Sequence, residues 1–72
     1  MAFRKGSRVR WNWGADTASG KVVERFTKKV SRTIKGTEVT REASRKEPAY
    51  LIEQDDGDKV LKSRSELSPA KD

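Results

Sequence analysis

The sequence predicts an all-β fold, a small barrel of four to five strands, on the strength of three observations. Short clusters of β-branched and aromatic residues are bounded by glycine, aspartate and proline, which is typical of strands and turns. Residues 49–62 have the pattern of strand, acidic turn and strand, with Asp56-Gly57 as a strong hairpin signal. Residues 7–13 alternate apolar and polar side chains with a period of two, so one face of that strand should be buried.

The predicted strands follow from these patterns. On the first strand, Val9, Trp11 and Trp13 share the apolar face. Residues 14–19 predict a turn. The second strand alternates imperfectly, which strongly bent barrel strands tolerate. In chain order the four strands are residues 7–13, 20–26, 50–54 and 59–62.

Residues 27–47, between the second and third strands, admit two interpretations. Alternation over residues 30–34 and β-branched residues over 37–40 favour an extended hairpin arm with its turn at Lys35-Gly36. Because lysine is a poor first residue for a two-residue type I′ turn, a longer turn with a glycine bulge fits equally well. The competing interpretation is a mobile basic loop.

Two short helical turns are also expected. Residues 41–47 have room for one helical turn, which Pro48 would end. Ser63 and Glu66 are spaced as in a capping box, so a single tight helical turn should begin there. Leu67 should then add a last contact to the core.

Length and composition bound what the chain can be. Its 72 residues have room for one domain, 1–72, in which we place the barrel at about 4–67 and a tail at 68–72. The chain has no cysteine and no histidine, so disulfides, the usual general base and the commonest metal ligand are missing. There is no long apolar run and no secretory signal. We therefore expect a cytoplasmic monomer that does not enter membranes.

Catalysis and metal binding have little support in the sequence. No spacing resembles a nucleophile elbow, a P-loop or a Ser-Lys arrangement. The acidic turn, residues 55–58, lacks the ligand spacing of a calcium-binding EF-hand loop. We therefore expect no enzyme, no cofactor and no metal site.

Five segments carry a resemblance to a known family. They are RVRWNWG at 8–14, GKVVE at 20–24, RTIKG at 32–36, PAYLIE at 48–53 and DGDKVLKS at 56–63. Together they closely resemble the hypervirulence-associated protein Tudor-like domain family, which consists of short, mostly bacterial and fungal proteins. The resemblance covers roughly residues 4–67 and implies an SH3-like (Tudor-like) barrel, which here would carry the arm or loop between strands two and three. It implies no particular ligand.

The first functional hypothesis is a non-catalytic module that binds a protein or peptide at an aromatic barrel mouth formed by Trp11, Trp13, Tyr50 and Asp56. Tudor domains that bind methylated lysine or arginine surround the cation with aromatic faces. This chain has an acidic turn where such a cage would need another aromatic, which argues against a cage. In the competing structural interpretation, Trp11 and Tyr50 belong to the core and Trp13 lies at the barrel mouth.

The alternative hypothesis is nucleic-acid binding, DNA or RNA, through a basic face and arm. Residues 1–47 hold 13 Lys/Arg and 5 Asp/Glu, a balance of +8, whereas residues 48–72 hold 4 and 6, a balance of −2. Such asymmetry attracts polyanions, although it also serves solubility and the protection of edge strands. The candidate basic residues are Arg8, Arg10, Lys21, Arg25, Lys28, Lys29, Arg32 and Lys35.

Overall fold

The computed structural model describes residues 3–70, except for the side chain of Trp13. The described chain is all-β, as predicted, with seven strands and one short 3₁₀ helix. No helix in this part of the chain is long and apolar enough to cross a membrane. In chain order the elements are β1 (Arg8–Trp13), β2 (Asp16–Phe26), β3 (Val30–Ile34), β4 (Thr37–Arg41), β5 (Ala49–Gln54), β6 (Lys59–Ser63), the 3₁₀ helix (Arg64–Glu66) and β7 (Ser68–Pro69).

The strands form an open five-stranded antiparallel sheet and a separate two-stranded hairpin. The sheet has the order β6-β5-β2-β1-β7, and β3 pairs only with β4. The prediction of a small barrel of four to five strands with an arm therefore holds only in part: the described chain is all-β, but the barrel is not closed and the strands number seven. Closure fails because, within residues 3–70, no ladder of hydrogen bonds joins the edge strand β6 to β7 or to the hairpin.

The β1–β2 hairpin is tighter than the sequence indicated. Strand β2 begins at Asp16, which pairs with Trp13, and Ala18 pairs with Trp11. The turn predicted over residues 14–19 shrinks to two residues, because cross-strand pairing with β1 continues nearly to the tip. The register between β2 and β5 shifts at a bulge between Val22 and Glu24, which explains the imperfect alternation of this strand.

The expected tail is part of the sheet. Ser68 and Pro69 pair with Arg10 and Val9 of β1, and the backbone N–H of Ala70 donates to the carbonyl oxygen of Arg8 at 3.1 Å. The prediction of a tail from residue 68 was thus wrong for residues 68–70, whereas residues 71–72 lie outside the described residues. Proline is compatible with this position because β7 is an edge strand.

The segment between β2 and β5 is an ordered hairpin, which we call the arm (β3, β4 and their turn). Lys35 and Gly36 form a two-residue turn, and both have positive φ, +52° and +78°, as a type I′ turn requires. The helical turn expected over residues 41–47 does not form. Instead, the hydroxyl oxygen of Ser44 accepts a hydrogen bond from the backbone N–H of Glu47, and local bonds of this kind compete with helix formation.

The core consists of two apolar clusters on opposite faces of β5. Tyr50 and Ile52 point into the first cluster, and Ala49 and Leu51 point into the second, as the period of two requires. The arm covers the second cluster with side chains of β3 and β4. Leu67 is buried in the first cluster, as predicted. The fully or nearly buried members are Val9, Trp11, Val22, Tyr50, Ile52 and Leu67 in the first cluster and Val30, Ala49 and Leu61 in the second.

The 3₁₀ helix follows β6 in the chain and contacts the arm through one side chain, Glu66. The backbone N–H of Ser63 donates to a carboxylate oxygen of Glu66 at 2.7 Å, as the predicted capping box requires. The same oxygen of Glu66 lies 3.4 Å from Nε of Arg41, at the end of β4. One carboxylate therefore caps the helix and holds the base of the arm.

Candidate functional site

A groove of about 510 Å³ lies where three hairpins meet, and we call it the edge groove. The β1–β2 hairpin contributes Trp11 and Ala18, the arm contributes Ile34 and Val39, and the β5–β6 hairpin contributes Val60 and Leu61. These side chains come from both apolar clusters. The groove is therefore the place where the two halves of the core meet at the surface.

The course of the groove follows strand β6. Val60 and Leu61 are neighbours on a strand, so their side chains point to opposite faces of the sheet. Val60 packs on the first cluster and Leu61 belongs to the second, yet both line the same groove. A groove that touches both faces of one strand must run along the edge of that strand.

Charged side chains form the rim of the edge groove. Nζ of Lys35 lies 2.7 Å from Oδ2 of Asp58, which joins the arm tip to the turn before β6. The hydrogen bond with Asp58, together with the negative charges of Asp58 and Asp56, raises the pKa of Lys35. Arg41 is engaged by Glu66. The groove therefore combines an apolar floor with a fixed charged border.

The predicted aromatic mouth is largely part of the core. Tyr50 is completely buried, and its hydroxyl accepts a hydrogen bond from the backbone N–H of Phe3 at 3.1 Å. Trp11 is 4% exposed and reaches the surface only as part of the groove floor. Neither ring presents an open face to a partner, because both pack against the first cluster. The side chain of Trp13 lies outside the described part of the structure.

Asp56 has a visible structural role in the acidic turn. Its carboxylate oxygen Oδ1 accepts a hydrogen bond from the backbone N–H of Asp58 at 2.9 Å, which is the usual way that aspartate stabilises a turn. Gly57 has a φ of +91°, which that turn also needs. Contact between Asp56 and a partner stays a prediction.

Some of the predicted basic residues lie on the sheet beside acidic neighbours. Arg8 is directly opposite Lys21, and Lys21 is directly opposite Glu53 on the other side. The guanidinium of Arg8 also lies 3.1 Å from Oδ1 of Asp55. Arg10 is exposed on the same face of β1. The positive charge of this part of the surface is therefore partly offset by carboxylates.

A second group of basic residues surrounds the connection between β2 and β3, and we call it the basic loop: Arg25, Lys28, Lys29 and Arg32. All four are exposed. Arg32 lies 4.7 Å above the centre of the Phe26 ring, and Lys29 is 3.6 Å from Glu42. Lys35, at the arm tip, belongs to the rim of the edge groove instead. The predicted basic residues are thus divided among the β1–β2 part of the sheet, the basic loop and the rim of the edge groove.

Two further features of the described residues bear on the choice of site. A hollow of about 750 Å³ lies beside Phe3 and Arg4, at the start of the described residues. Within residues 3–70, no group of three acidic side chains could hold a metal ion.

The groove residues on the arm and on β6 were missed at the sequence level. In the sequence, the pattern around Ile34, Val39, Val60 and Leu61 predicts ordinary strands with one apolar side. The alternation over residues 30–34 and 37–40 did indicate that one face of the arm packs on something. It held no information on which strand edge that face would meet.

Comparison with known proteins agrees with the fold. No curated protein and no solved structure matches this chain. A family profile described as "Hypervirulence associated proteins TUDOR domain" matches residues 6–67, which run from just before β1 to Leu67. The match confirms the resemblance drawn from the five segments. On this evidence the chain belongs to the Tudor-domain family of hypervirulence-associated proteins.

Proposed function

We propose that this chain is a non-catalytic module that recognises a protein or peptide partner, and that the edge groove is its binding site. Membership of a Tudor-domain family supports a small binding module in general. The observation that carries the choice of site is the apolar floor of the groove, which stays open although both core clusters contribute to it. Ligand sites usually combine such a floor with a few polar groups at the border.

The geometry favours a peptide over a small molecule. The groove is open along a strand edge and is lined by side chains of three hairpins, so an extended segment can lie in it. Exposed strand edges beside apolar pockets are a recurring site of peptide recognition. Burial of Trp11 and Tyr50 removes the alternative of an aromatic cage built on those two rings.

A peptide-display selection tests this function. A random library is selected on the wild-type protein, and the enriched peptides are then measured against two variants by titration. Val39→Ser removes an apolar group from the groove floor, and Thr33→Ser makes a similar small change on the exposed outer face of the arm. We expect Val39→Ser to weaken binding at least tenfold and Thr33→Ser to leave it unchanged. Equal effects, or no enriched peptide, would overturn the proposal.

A second candidate function is nucleic-acid binding through the basic loop. Within the described residues Arg25, Lys28 and Arg32 have no ion-pair partner, whereas Arg8 is engaged by Asp55. The ring of Phe26 supports the guanidinium of Arg32, and arginine side chains contribute to the binding of single strands. These observations favour the basic loop over the β1–β2 face as a phosphate contact.

The salt dependence of affinity tests this candidate. A single-stranded oligonucleotide bound by the basic loop should lose roughly 0.7 log units of affinity per log unit of salt for each phosphate neutralised. Arg32→Glu should abolish binding, and Arg10→Glu should weaken it much less. If Arg10→Glu is as damaging as Arg32→Glu, the contact is not confined to the basic loop.

A further inference from the structure

Strand β6 has one edge that no other strand occupies. It pairs with β5 on one side and ends the sheet on the other, and within residues 3–70 the arm approaches it without forming a ladder. The edge groove runs along this outer side, because Val60 and Leu61 line it from opposite faces. Unpaired backbone N–H and C=O groups along a strand edge are a template for another strand.

The space beside β6 suits a short extended segment. Five residues at about 3.3 Å per residue correspond to an edge of roughly 16 Å, which matches a peptide of about five residues. Alternate side chains of such a strand would point to opposite sides. One set would meet Trp11 and Val60, and the other would meet Val39 and Leu61.

The charges of the groove identify the chemistry of the occupant. Its lining contains Lys35, Arg41 and Lys62 against a single carboxylate, Asp58. Lys35 is paired with Asp58 and Arg41 with Glu66, while Lys62 has no ion-pair partner among the described residues. An acidic side chain next to Lys62 would supply the missing partner.

The same charges disfavour a second copy of this chain. Symmetric antiparallel pairing of two β6 strands about Lys62 would place the two copies of that lysine opposite each other, and other registers would still gather Lys59 and Lys62 of both copies along one short ladder. Like charges placed opposite each other on paired strands are destabilising. Lysines on an exposed edge are also a known defence against self-association.

We propose that the outer edge of β6 binds an extended acidic peptide as an additional strand, with an acidic side chain against Lys62 and apolar side chains in the edge groove. This inference rests on the proposed function and assigns its ligand chemistry and its mode of binding. Main-chain hydrogen bonds to β6 provide the register, and the two apolar sides of the groove select alternate side chains.

Two synthetic eight-residue peptides of alternating valine and threonine test the charge requirement, one with a single glutamate at a central position and one with lysine at that position. Binding is followed by amide chemical shifts and by hydrogen exchange of residues 59–63. The glutamate peptide should shift the amides of β6, protect the outward-facing amides of Lys59 and Leu61 from exchange, and bind at least tenfold more tightly than the lysine peptide. The amide of Ser63 already donates to Glu66, so its exchange should not change. Lys62→Glu should reverse that preference, whereas Lys28→Glu, a charge reversal on an exposed residue of the basic loop away from β6, should not. The same order of affinities in wild type and Lys62→Glu would overturn the charge assignment.

Two N-methylated forms of the glutamate peptide test strand addition separately. Methylation of one alternate set of amides removes the donors that face β6, and methylation of the other set leaves them intact. One form should lose binding and the other should retain it. If both bind equally well in the groove, strand addition is excluded while the peptide-binding function stands. If the glutamate peptide leaves residues 59–63 unperturbed at millimolar concentration, this inference fails, and the display selection decides independently on the proposed function.

Discussion

Lys35 at the tip of the arm forms an ion pair with Asp58 on the turn before β6, with 2.7 Å between Nζ and Oδ2. This contact joins two hairpins at one end of the edge groove. It also raises the pKa of Lys35, chiefly through the hydrogen bond with Asp58. Because the pKa of Lys35 is raised in the folded protein, the ion pair stabilises the fold fully below the ordinary pKa of 10.5. This stabilisation is lost as the pH rises through the raised pKa of the folded protein.

Two substitutions at Lys35 separate its ion pair from its backbone conformation. Lys35→Gln and Lys35→Asn both remove the charge, but asparagine adopts positive φ more readily than glutamine, and Asn-Gly is the preferred type I′ pair. We expect Lys35→Asn to have the higher melting temperature of the two. Repeating the comparison in Asp58→Asn should preserve the difference, since it arises from the backbone. Equal melting temperatures would show that the turn conformation is not strained by lysine.

Gly20 is required by close packing between β2 and β5. A Cβ atom at this position would lie 2.6 Å from the backbone oxygen of Glu53 and 2.8 Å from Cγ2 of Ile52. Because a backbone atom cannot move aside, we expect Gly20→Ala to lower the free energy of unfolding by about 1–3 kcal/mol in urea titrations. Ser19→Ala, one residue earlier on the same strand, is the control and should change it by less than about 0.5 kcal/mol.

The hydroxyl of Tyr50 connects the core to the start of the described chain. It accepts a hydrogen bond from the backbone N–H of Phe3, and the two rings pack edge to face with 5.7 Å between their centres. Tyr50→Phe should therefore reduce the free energy of unfolding by about 1 kcal/mol. Phe3→Leu keeps the donor and the hydroxyl but removes the ring contact, which is worth about 0.5–1.5 kcal/mol beyond the apolar surface that the smaller side chain no longer buries. An unchanged stability in Tyr50→Phe would argue against the hydrogen bond.

Strand β7 contributes to stability although it has only two residues. A chain that ends after Leu67 loses the pairing of residues 68–69 with β1 and the bond from Ala70 to Arg8. We expect it to be about 1–3 kcal/mol less stable than a chain that ends after Ala70, because two or three backbone hydrogen bonds are lost. Circular dichroism melts of the two truncated chains provide the comparison. Coincident melts would mean that β7 adds nothing to the sheet.

Glu47 makes the stability of the fold dependent on acid pH. Its carboxylate accepts the backbone N–H of Ser65 at 2.9 Å, and hydrogen bonding with Ser65 lowers the pKa of Glu47. Because the pKa of Glu47 is lowered in the folded protein, its carboxylate stabilises the fold fully above the ordinary pKa of 4.5. This stabilisation is lost as the pH falls through the lowered pKa of the folded protein.

Urea titrations between pH 3 and pH 7 measure this dependence. Glu47→Gln should be less stable than wild type at pH 7 and should lose less stability on acidification, so that the two curves converge at low pH. Glu38→Gln, on the exposed outer face of the arm, is the control and should follow the wild-type curve. A constant gap between wild type and Glu47→Gln across this range would contradict the role of ionised Glu47.

The local features of the fold were predictable from the sequence because they depend on neighbouring residues. The turn at Asp56-Gly57 and the capping box of Ser63 follow from short-range chemistry. The two-residue turn at Lys35-Gly36 was one of several alternatives that the sequence left open. The alternation of Val9 and Trp11 also identified the buried face of β1.

The candidate site was predictable only in part. Trp11 was expected at a mouth, yet its ring is almost entirely in the floor of the edge groove, and Tyr50 is inside the core. The burial of Tyr50 depends on Phe3 and Leu67, which are distant in sequence. Alternation identifies the side of a strand that is apolar, but it does not reveal how many layers of chain cover that side.

By itself the sequence determined an all-β chain of one family, with its β5–β6 hairpin, its capping box and its basic amino-terminal part. Only the tertiary structure decided that the sheet stays open at β6, that Ser68 and Pro69 extend the opposite edge, and that the arm meets β6 beside Trp11. Turns and strand faces follow from interactions over a few residues. The edge groove joins Trp11, Val39 and Val60, whose proximity depends on strand order and on packing between distant segments.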